Sequence, residues 1–274
     1  MANVFLGKVA WITGGGSGIG RACAIELAKR GAHVAVTGRR LDRLEETCDA
    51  VEEQGVRALA VPCDVRDEAR LEEAVSKVVE TLGRLDLAMA NAGFSVGGRI
   101  EDLTAEDWRR QFDVNVVAAA MTARFALPEL RRQRGRFVLV GSVAGFVPGP
   151  HFGAYHASKH AVRALGATLS TEIFGTGVSC TTAHPGFVES EIGQVDSLGK
   201  YDPNRRDKRP ENLMWTAERA ARVIIRAAEK RKREQVFTGH GKLGAFLGMH
   251  FPSLIYRFMA REQAIKQAAS FRVE

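Results

Sequence analysis

The amino-acid sequence predicts an α/β fold in which one parallel, doubly wound sheet of about seven strands carries helices on both faces. Short apolar runs alternate with longer segments of helical period along the chain. A glycine-rich loop separates the first run from the first helix, and the composition, 45% hydrophobic and 26% charged over 274 residues, is that of a globular protein. Because no repeat or low-complexity linker interrupts this alternation, we expect one domain over residues 1–274.

The first half of the chain supplies four of the predicted strands. Four apolar runs have the length of buried strands: 8–14, 33–39, 57–65 and 85–93. The helices between them have an apolar face and polar flanks, and the first ends at a glycine, as helices often do. These helices cover 18–31, 41–55 and about 67–83, and a long one follows over about 104–132.

The second half continues the alternation and adds a tail. Three further apolar runs predict strands at 135–142, 178–186 and 234–239. Helical segments extend from about 153 to about 175 and over 216–232. We therefore expect a core over 6–239, an irregular polar loop at 189–215, and a short helical C-terminal extension at 240–274.

The glycine-rich loop "TGGGSGIG" at 13–20 predicts a nucleotide site. It lies between the first strand and the first helix, where a doubly wound sheet binds dinucleotides. Gly14, Gly18 and Gly20 have GxxxGxG spacing, and their lack of side chains lets a pyrophosphate approach the backbone amides and the helix N-terminus. A glycine cluster alone would be weak evidence, but its place between strand and helix strengthens it.

Tyr155 and Lys159 stand four residues apart in a segment of helical character. Side chains at this spacing share one helix face and lie within reach of each other. A phenol has a pKa near 10, so it can exchange protons near neutrality only if that pKa falls by roughly three units. A neighbouring ammonium would favour the phenolate, but a pair of this kind in isolation is more often a surface contact of little consequence, so the rest of the sequence must indicate its role.

Six motifs occur in the order expected of one enzyme family. They are TGxxxGxG at 13–20, "NAG" at 91–93, Asn115 in the long helix, Ser142 thirteen residues before Tyr155, the YxxxK of Tyr155 and Lys159, and "PG" at 185–186. In this order the sequence resembles the short-chain dehydrogenase/reductase family over residues 6 to about 238. The resemblance implies a Rossmann-like fold, a nicotinamide dinucleotide cofactor and a dimer or tetramer paired through the long helix and the Tyr155 helix.

The resemblance also implies roles for individual residues. Tyr155 would be the proton donor or acceptor with Lys159 as its partner, Ser142 would bond the substrate oxygen, and Asn115 would hold a proton-relay water. Asp64 would contact the adenine with Val65 beside it, and Ser190, where the family often has Thr, would bond the carboxamide. The full set expected to bind the cofactor is Gly14, Ser17, Gly18, Ile19, Gly20, Arg39, Arg40, Asp64, Val65, Asn91, Ala92, Gly93, Tyr155, Lys159, Pro185, Gly186, Val188 and Ser190.

The end of the second predicted strand indicates which dinucleotide is bound. An Asp or Glu at this place holds a free ribose diol, whereas an Arg accommodates a 2′-phosphate. The sequence "TGRR" has Gly38 where the acid would stand, followed by Arg39 and Arg40. Because a guanidinium binds phosphate in a bidentate manner, we predict NADP(H) rather than NAD(H), with Arg39 the better candidate.

The predicted substrate site has apolar walls. The loop at 189–215 is expected to cover it, and the segments 94–100 and 144–152 supply Phe94, Phe146 and Phe152. We therefore expect a fairly lipophilic ketone or secondary alcohol. The direction of flux and the hydride face are not determined by the sequence.

The C-terminal extension is strongly apolar and follows a basic run at 226–233. Its large side chains predict two short helices separated at Pro252. Three interpretations remain open: the helices cover the pocket or a neighbouring subunit, lie in a membrane interface, or present a basic face to an acidic carrier. Residues 200–274 hold 17 Lys and Arg against 8 Asp and Glu, so the net charge of +7 originates in this quarter of the chain.

Other features limit the function classes. The charge is not accompanied by a nucleic-acid recognition motif, and the four scattered cysteines suggest neither a metal site nor disulfides. Without a signal peptide or a long uncharged apolar run, a cytoplasmic location is expected, with membrane association through the tail as an alternative.

The sequence as a whole predicts an NADP(H)-dependent oxidoreductase that interconverts a secondary alcohol and a ketone. Two alternatives belong to other classes: a protein that senses NADP(H) without turnover, and a membrane-surface protein whose tail carries the main function. The complete set of Asn115, Ser142, Tyr155 and Lys159 argues against a sensor, because a sensor needs no proton relay.

Overall fold

A computed structural model of the chain describes residues 3–270 apart from residue 208, with side chains described up to residue 261. Within these residues, seven parallel strands form one sheet in the order β3-β2-β1-β4-β5-β6-β7. Its strands are β1 Val9–Thr13, β2 His33–Gly38, β3 Ala58–Pro62, β4 Leu87–Ala90, β5 Arg136–Val140, β6 Ser179–His184 and β7 Glu234–Val236. The predicted doubly wound α/β fold is therefore confirmed.

Helices cover both faces of the sheet. Their bounds are α1 Gly18–Lys29, α2 Leu41–Glu52, α3 Glu68–Leu82, α4 Ala105–Phe112, α5 Ala118–Gln133, α6 Gly153–Glu172, α7 Ala217–Glu229, α8 Gly239–His250 and α9 Pro252–Ser270. Helices α1 and α7 pack on one face of the sheet, and α3, α5 and α6 on the other. Each face has its own apolar core because successive strand residues point to opposite sides, as Trp11 and Ile12 do.

The helix expected over about 104–132 is not one regular helix. Between α4 and α5 the chain makes a wider, π-type turn over Asp113–Val117. Asn115 lies in this turn and its side chain is buried. Such turns are rare and occur often at functional sites, and helical periodicity in the sequence does not distinguish them from a regular helix.

The C-terminal extension forms the two helices α8 and α9, which are separated at Pro252. The basic run that precedes them does not lie beside them. It enters β7 at the amino edge of the sheet, where Arg231 donates hydrogen bonds to carbonyl oxygens of Arg134 and Gly177. Helix α8 begins beyond the opposite, carboxyl edge. None of the helices in the described ranges is both long and apolar enough to span a bilayer.

Candidate active site

A cleft of about 280 Å³ opens at the carboxyl edge of the sheet. The strand order changes direction between β1 and β4, and doubly wound sheets bind their ligands at this point. All residues expected to bind cofactor line this cleft except Gly20, and Ser142 lines it too. Of the residues expected to catalyse, Asn115 does not line it.

The glycine loop is shaped by steric demand. Gly14 and Gly18 have φ values of +66° and +50°, and residues other than glycine rarely adopt this backbone conformation. A Cβ on Gly14 would lie 2.9 Å from the Ala92 Cα, and one on Gly20 would lie 2.2 Å from the Gly14 carbonyl oxygen. Gly20 therefore contributes through packing of α1 against the loop, and the floor of the cleft remains bare backbone.

Asn91 binds the loop to the neighbouring strand. Its side-chain amide donates to the carbonyl oxygens of Thr13 at 3.0 Å and Gly14 at 2.9 Å. Its backbone N–H donates to the Thr13 hydroxyl at 3.1 Å. Because these bonds use both amide hydrogens, Asn91 holds the cleft floor in shape.

Ser142, Tyr155 and Lys159 meet in the cleft. Ser142 follows β5, and its Oγ accepts a hydrogen bond from the Ala144 N–H at 3.1 Å and lies close enough to the Tyr155 phenol to lower the pKa of that phenol. Tyr155 and Lys159 lie one turn apart on α6, as their spacing predicts, and the Lys159 Nζ is 5.8 Å from the centre of the Tyr155 ring. The buried ammonium donates to the Val140 carbonyl at 3.0 Å.

The electrostatics of this group differ from the expectation. Burial raises the pKa of the Tyr155 phenol above its usual value, although the hydrogen bond from Ser142 and the positive charge of Arg209 act against this rise. Burial also lowers the pKa of Lys159 to about 8. In this structure the phenol is therefore held in its neutral form, and Lys159 is the group with a pKa near neutrality.

Asn115 connects three parts of the site. Its carboxamide accepts from the Phe94 N–H at 3.1 Å and donates to the Phe94 carbonyl at 3.1 Å and to the Ser158 hydroxyl at 3.0 Å. Ser158 in turn donates to the Tyr155 carbonyl at 2.7 Å. The structure thus places Asn115 behind Tyr155 as a positioning residue, and its expected part in a proton relay stays a prediction.

Replacing Asn115 should destabilise the fold measurably. In Asn115→Ala the buried Phe94 N–H loses its acceptor, whereas the Phe94 carbonyl keeps the Gln111 amide at 2.9 Å, so we expect the free energy of unfolding to fall by about 1–3 kcal/mol. Denaturant unfolding followed by circular dichroism measures this change. Asn204→Ala, in an exposed part of the 189–215 loop, is the matched control and should leave the unfolding midpoint unchanged.

A buried histidine lies directly behind Ser142. The His184 Nδ1 is 3.2 Å from the Ser142 carbonyl oxygen, and its Nε2 is 3.0 Å from a Glu234 carboxylate oxygen. Glu234 is also bound by Arg163 at 3.0 Å, and its close contact with His184 is the main reason its pKa falls to about 2. This chain of contacts fixes the turn that carries Ser142 and was not predicted, because nothing in the sequence connects positions 142, 184 and 234.

The two arginines expected at the adenosine end both contact the 189–215 loop. Arg39 donates to the Gly199 carbonyl at 2.8 Å. Arg40 pairs with the Glu191 carboxylate, and its guanidinium lies 5.1 Å above the Tyr201 ring. The loop therefore extends over the cofactor end of the cleft, and the carboxylate of Glu191 neutralises Arg40.

Asp64 and Val65 line the same end of the cleft. The Asp64 carboxylate is bound by Arg66 at 2.7 Å, and this hydrogen bond is the main reason its pKa is lowered. Val65 is buried. Both residues are where the resemblance leads us to expect the adenine, with Asp64 held as an ionised acceptor.

Arg209 is the principal cleft residue that the sequence did not indicate. Its guanidinium donates to the carbonyl oxygens of Val188 and Ser190, each at 2.8 Å, and is paired with Asp207 at 2.7 Å. It also lies 3.3 Å from the Ser190 Oγ, which is expected to bond the carboxamide. The stretch "NRRDKRP" contains several cations, and no pattern distinguishes the one that folds inward.

The two segments expected to form the substrate walls meet. The Gly98 N–H donates to the His151 carbonyl at 2.8 Å, and Gly98 forms a parallel bridge with Phe152. Phe94 is buried at the cleft and Phe152 is half exposed. Phe146 instead packs its ring against His184 and beneath Arg163, so it supports the wall from behind.

Known proteins with similar sequences belong to one enzyme family. A family model for short chain dehydrogenases matches residues 8–199. The 11-beta-hydroxysteroid dehydrogenase A of Sesamum indicum is 35% identical over 236 residues, which cover 83% of this chain and 67% of that protein.

Two solved structures share the fold. A short chain dehydrogenase/reductase from Burkholderia phymatum in complex with NAD has a TM-score of 0.78 and 29% identity, over 86% of this chain and 90% of the other. An alcohol dehydrogenase from the archaeon Thermococcus sibiricus, complexed with 5-hydroxy-NADP, has a TM-score of 0.73 and 29% identity, over 84% and 96%. With the family model matching most of the chain, this protein is an oxidoreductase that belongs to the short-chain dehydrogenase family.

Proposed function

We propose that the protein is an NADP(H)-dependent oxidoreductase that interconverts a secondary alcohol and a ketone by hydride transfer. The observation that carries this proposal is the convergence of Ser142, Tyr155 and Lys159 at the carboxyl edge of β5, within the cleft that begins at the glycine loop. Two hydroxyls that line one cleft suit one substrate oxygen, because that oxygen needs a hydrogen-bond donor and a partner for proton exchange.

The cleft fits a nicotinamide dinucleotide. Neither Gly14 in the cleft floor nor Gly20 behind it has room for a Cβ. Helix α1 begins at Gly18, so its N-terminus lies at the loop, where it favours a pyrophosphate. Gly14 to Ile19 would hold the phosphates, Asp64 and Val65 the adenine, and Val188 and Ser190 the carboxamide. The bound nicotinamide would supply or accept the hydride.

The remaining chemistry belongs to side chains of this chain. In the direction of reduction, the neutral Tyr155 phenol gives its proton to the substrate oxygen while Ser142 donates a hydrogen bond to it. The Ala144 N–H already occupies one acceptor position of the Ser142 Oγ, which leaves its O–H free to donate. Lys159 supplies charge beside the phenol, and Asn115 fixes the first turn of α6 through Ser158.

The preference for NADP(H) rests on Arg39. Arg39 binds a neutral carbonyl, whereas Arg40 is paired with a carboxylate that a phosphate would have to displace. A 2′-phosphate therefore gains most from Arg39. The described side chains lining this end of the cleft include Asp64, but its carboxylate is engaged by Arg66. The solved relatives include complexes with NAD and with an NADP-type ligand, so they favour neither dinucleotide for this chain. The proposed preference therefore depends on Arg39.

The substrate class follows from the walls. Phe94 lines the cleft, the half-exposed Phe152 bridges to the neighbouring wall segment at Gly98, and a relative from Sesamum indicum is named as a hydroxysteroid dehydrogenase. We infer a lipophilic ketone or secondary alcohol. We also infer that the protein forms a dimer or tetramer through α5 and α6, to be tested by light scattering at several concentrations.

Activity should depend on pH through Lys159. Its pKa of about 8 lies below that of a free lysine, so its proton is present below pH 8 and is lost as pH rises through this value. A charged Lys159 makes the Tyr155 phenol a better proton donor, so kcat/KM for ketone reduction should fall above about pH 8. Initial rates in both directions from about pH 6 to about pH 10 test this. A reduction rate that is constant across this range would contradict the assignment.

The function is tested by following NADPH oxidation at 340 nm with a panel of cyclic and aromatic ketones. Turnover of at least one lipophilic ketone supports the proposal. An NADP(H) sensor would bind NADPH without oxidising it in the presence of any ketone or producing it from any alcohol.

A further inference from the structure

The two C-terminal helices expose an unusually apolar surface. Helix α8 packs inward through its small residues: Gly248 lies against Phe146, Gly241 against Val143, and Ala245 is buried. Within the described residues, the main packing partner of α9 is α8. Seven large side chains are each 44–67% exposed, and we call them the tail patch: Leu243, Phe246, Met249, Phe251, Leu254, Tyr256 and Phe258.

The charged side chains of the tail between positions 235 and 261 are all basic, while the Arg163–Glu234 pair borders the patch at Met249. The sequence contains no Asp or Glu between positions 235 and 261. The same stretch carries Lys242, His250, Arg257 and Arg261, all of which are exposed. The basic run at 226–233 lies at the opposite edge of the sheet, so the positive charge near the tail patch comes from the tail residues themselves. The surface is thus apolar and cationic at once.

An apolar surface whose charged side chains are all basic is a poor partner for a second copy of itself. In a symmetric dimer formed through the patch, the cationic surface that carries Arg257 and Arg261 would face a second copy of itself. No carboxylate within 235–261 is present to pair with them. An anionic surface would satisfy the cations, and an apolar interior would cover the exposed aromatic side chains.

We propose that the tail patch docks the protein on the surface of an anionic phospholipid membrane. Phe246, Phe251 and Phe258 would enter the acyl boundary, and Tyr256 suits the headgroup level, where an aromatic ring with a polar end is favoured. Arg257 and Arg261 would pair with lipid phosphates, since juxtamembrane cations gain from a negative leaflet. The helices lie on the membrane and do not cross it.

The position of the patch connects it to the cleft. Helix α8 packs on Val143 and Phe146, which belong to the segment that carries Ser142 and ends in the substrate wall at Phe152. A docked enzyme would therefore hold this wall near the lipid. The inference that lipophilic substrate enters from the bilayer rests on the proposed function, whereas the docking itself does not.

Vesicle sedimentation of the full chain tests the docking. Intact protein should pellet with vesicles of phosphatidylcholine and phosphatidylserine at low salt, and pellet less with phosphatidylcholine alone. Phe246→Asp/Phe258→Asp should weaken binding at least tenfold. Phe174→Asp is the matched control, because Phe174 is 89% exposed at the end of α6, outside the tail, and its replacement should leave binding unchanged.

Further outcomes distinguish the alternatives. Arg257→Glu/Arg261→Glu and added salt should both reduce binding to the anionic vesicles. The proposal is overturned if the intact protein does not pellet with the anionic vesicles, or if the Phe246→Asp/Phe258→Asp variant pellets as well as the wild type. It is also overturned if light scattering shows that the wild type is a dimer and that only this variant is a monomer, because the tail patch would then bind a second copy of the chain. Turnover of a water-soluble ketone should be the same in all variants, so its absence in every one would count against the proposed function alone.

Discussion

Tyr155→Phe should lose ketone reduction almost completely. The variant keeps the ring and its packing on α6 but removes the hydroxyl that we propose gives its proton to the substrate oxygen. General acid–base catalysis contributes about 10²–10⁴-fold, so kcat/KM should fall by this factor. The measurement is the initial rate of NADPH oxidation with the best ketone of the panel.

Two controls accompany this variant. NADPH affinity, measured by nicotinamide fluorescence, should remain within about threefold of the wild type, because the phenol is not expected to hold the phosphates. Tyr256→Phe removes a hydroxyl from the exposed tail and should leave the rate unchanged. Retention of full turnover in Tyr155→Phe would refute the assignment of the proton donor.

Arg39→Ala should selectively weaken NADPH binding. A hydrogen bond to a charged group contributes about 1.5–3 kcal/mol, so the Kd for NADPH should rise by about ten- to a hundredfold. The Kd for NADH should hardly change, because NADH has no 2′-phosphate. Parallel titrations of both nucleotides measure the selectivity directly.

Arg70→Ala is the charge-matched control. Arg70 pairs with Glu73 on the exposed face of α3, and its removal lowers the net charge by the same amount. It should leave both affinities unchanged. If Arg39→Ala weakens NADPH and NADH equally, Arg39 supports the loop through Gly199 and does not recognise the phosphate.

The alternation of strands and helices could be predicted because the inner strands β1, β2, β4 and β5 are buried on both faces and read as apolar runs. The same reasoning could not find the π-type turn at Asp113–Val117. There the chain departs from a regular helix while Asn115 binds Phe94 and Ser158, which are distant in sequence. Helical periodicity contains no information on such contacts.

The glycine loop and the Tyr155–Lys159 pair could be located because local geometry determines both. The spacing of Gly14, Gly18 and Gly20 reflects a turn and a close helix contact, and four residues make one helical turn. The contacts of Arg209 and Glu191 could not be located, because they depend on how a long irregular loop folds back over the cleft.

The pKa of Tyr155 shows a further limit of sequence reasoning. The sequence indicates a positive neighbour, which by itself would lower the pKa of the phenol. It does not show that Lys159 donates to the Val140 carbonyl, or that burial of the phenol is the larger effect. Desolvation depends on the packing of the entire site and can be evaluated only in the folded protein.

Hydride transfer itself is the most direct test of the proposed activity. NADPH carrying deuterium at C4, in separate preparations for each face, would be incubated with the protein and a lipophilic ketone, and the alcohol analysed by mass spectrometry. We predict an alcohol one mass unit heavier from one of the two preparations and an unlabelled alcohol from the other. Alcohol without deuterium from both, or no alcohol from any ketone of the panel, would contradict the proposal.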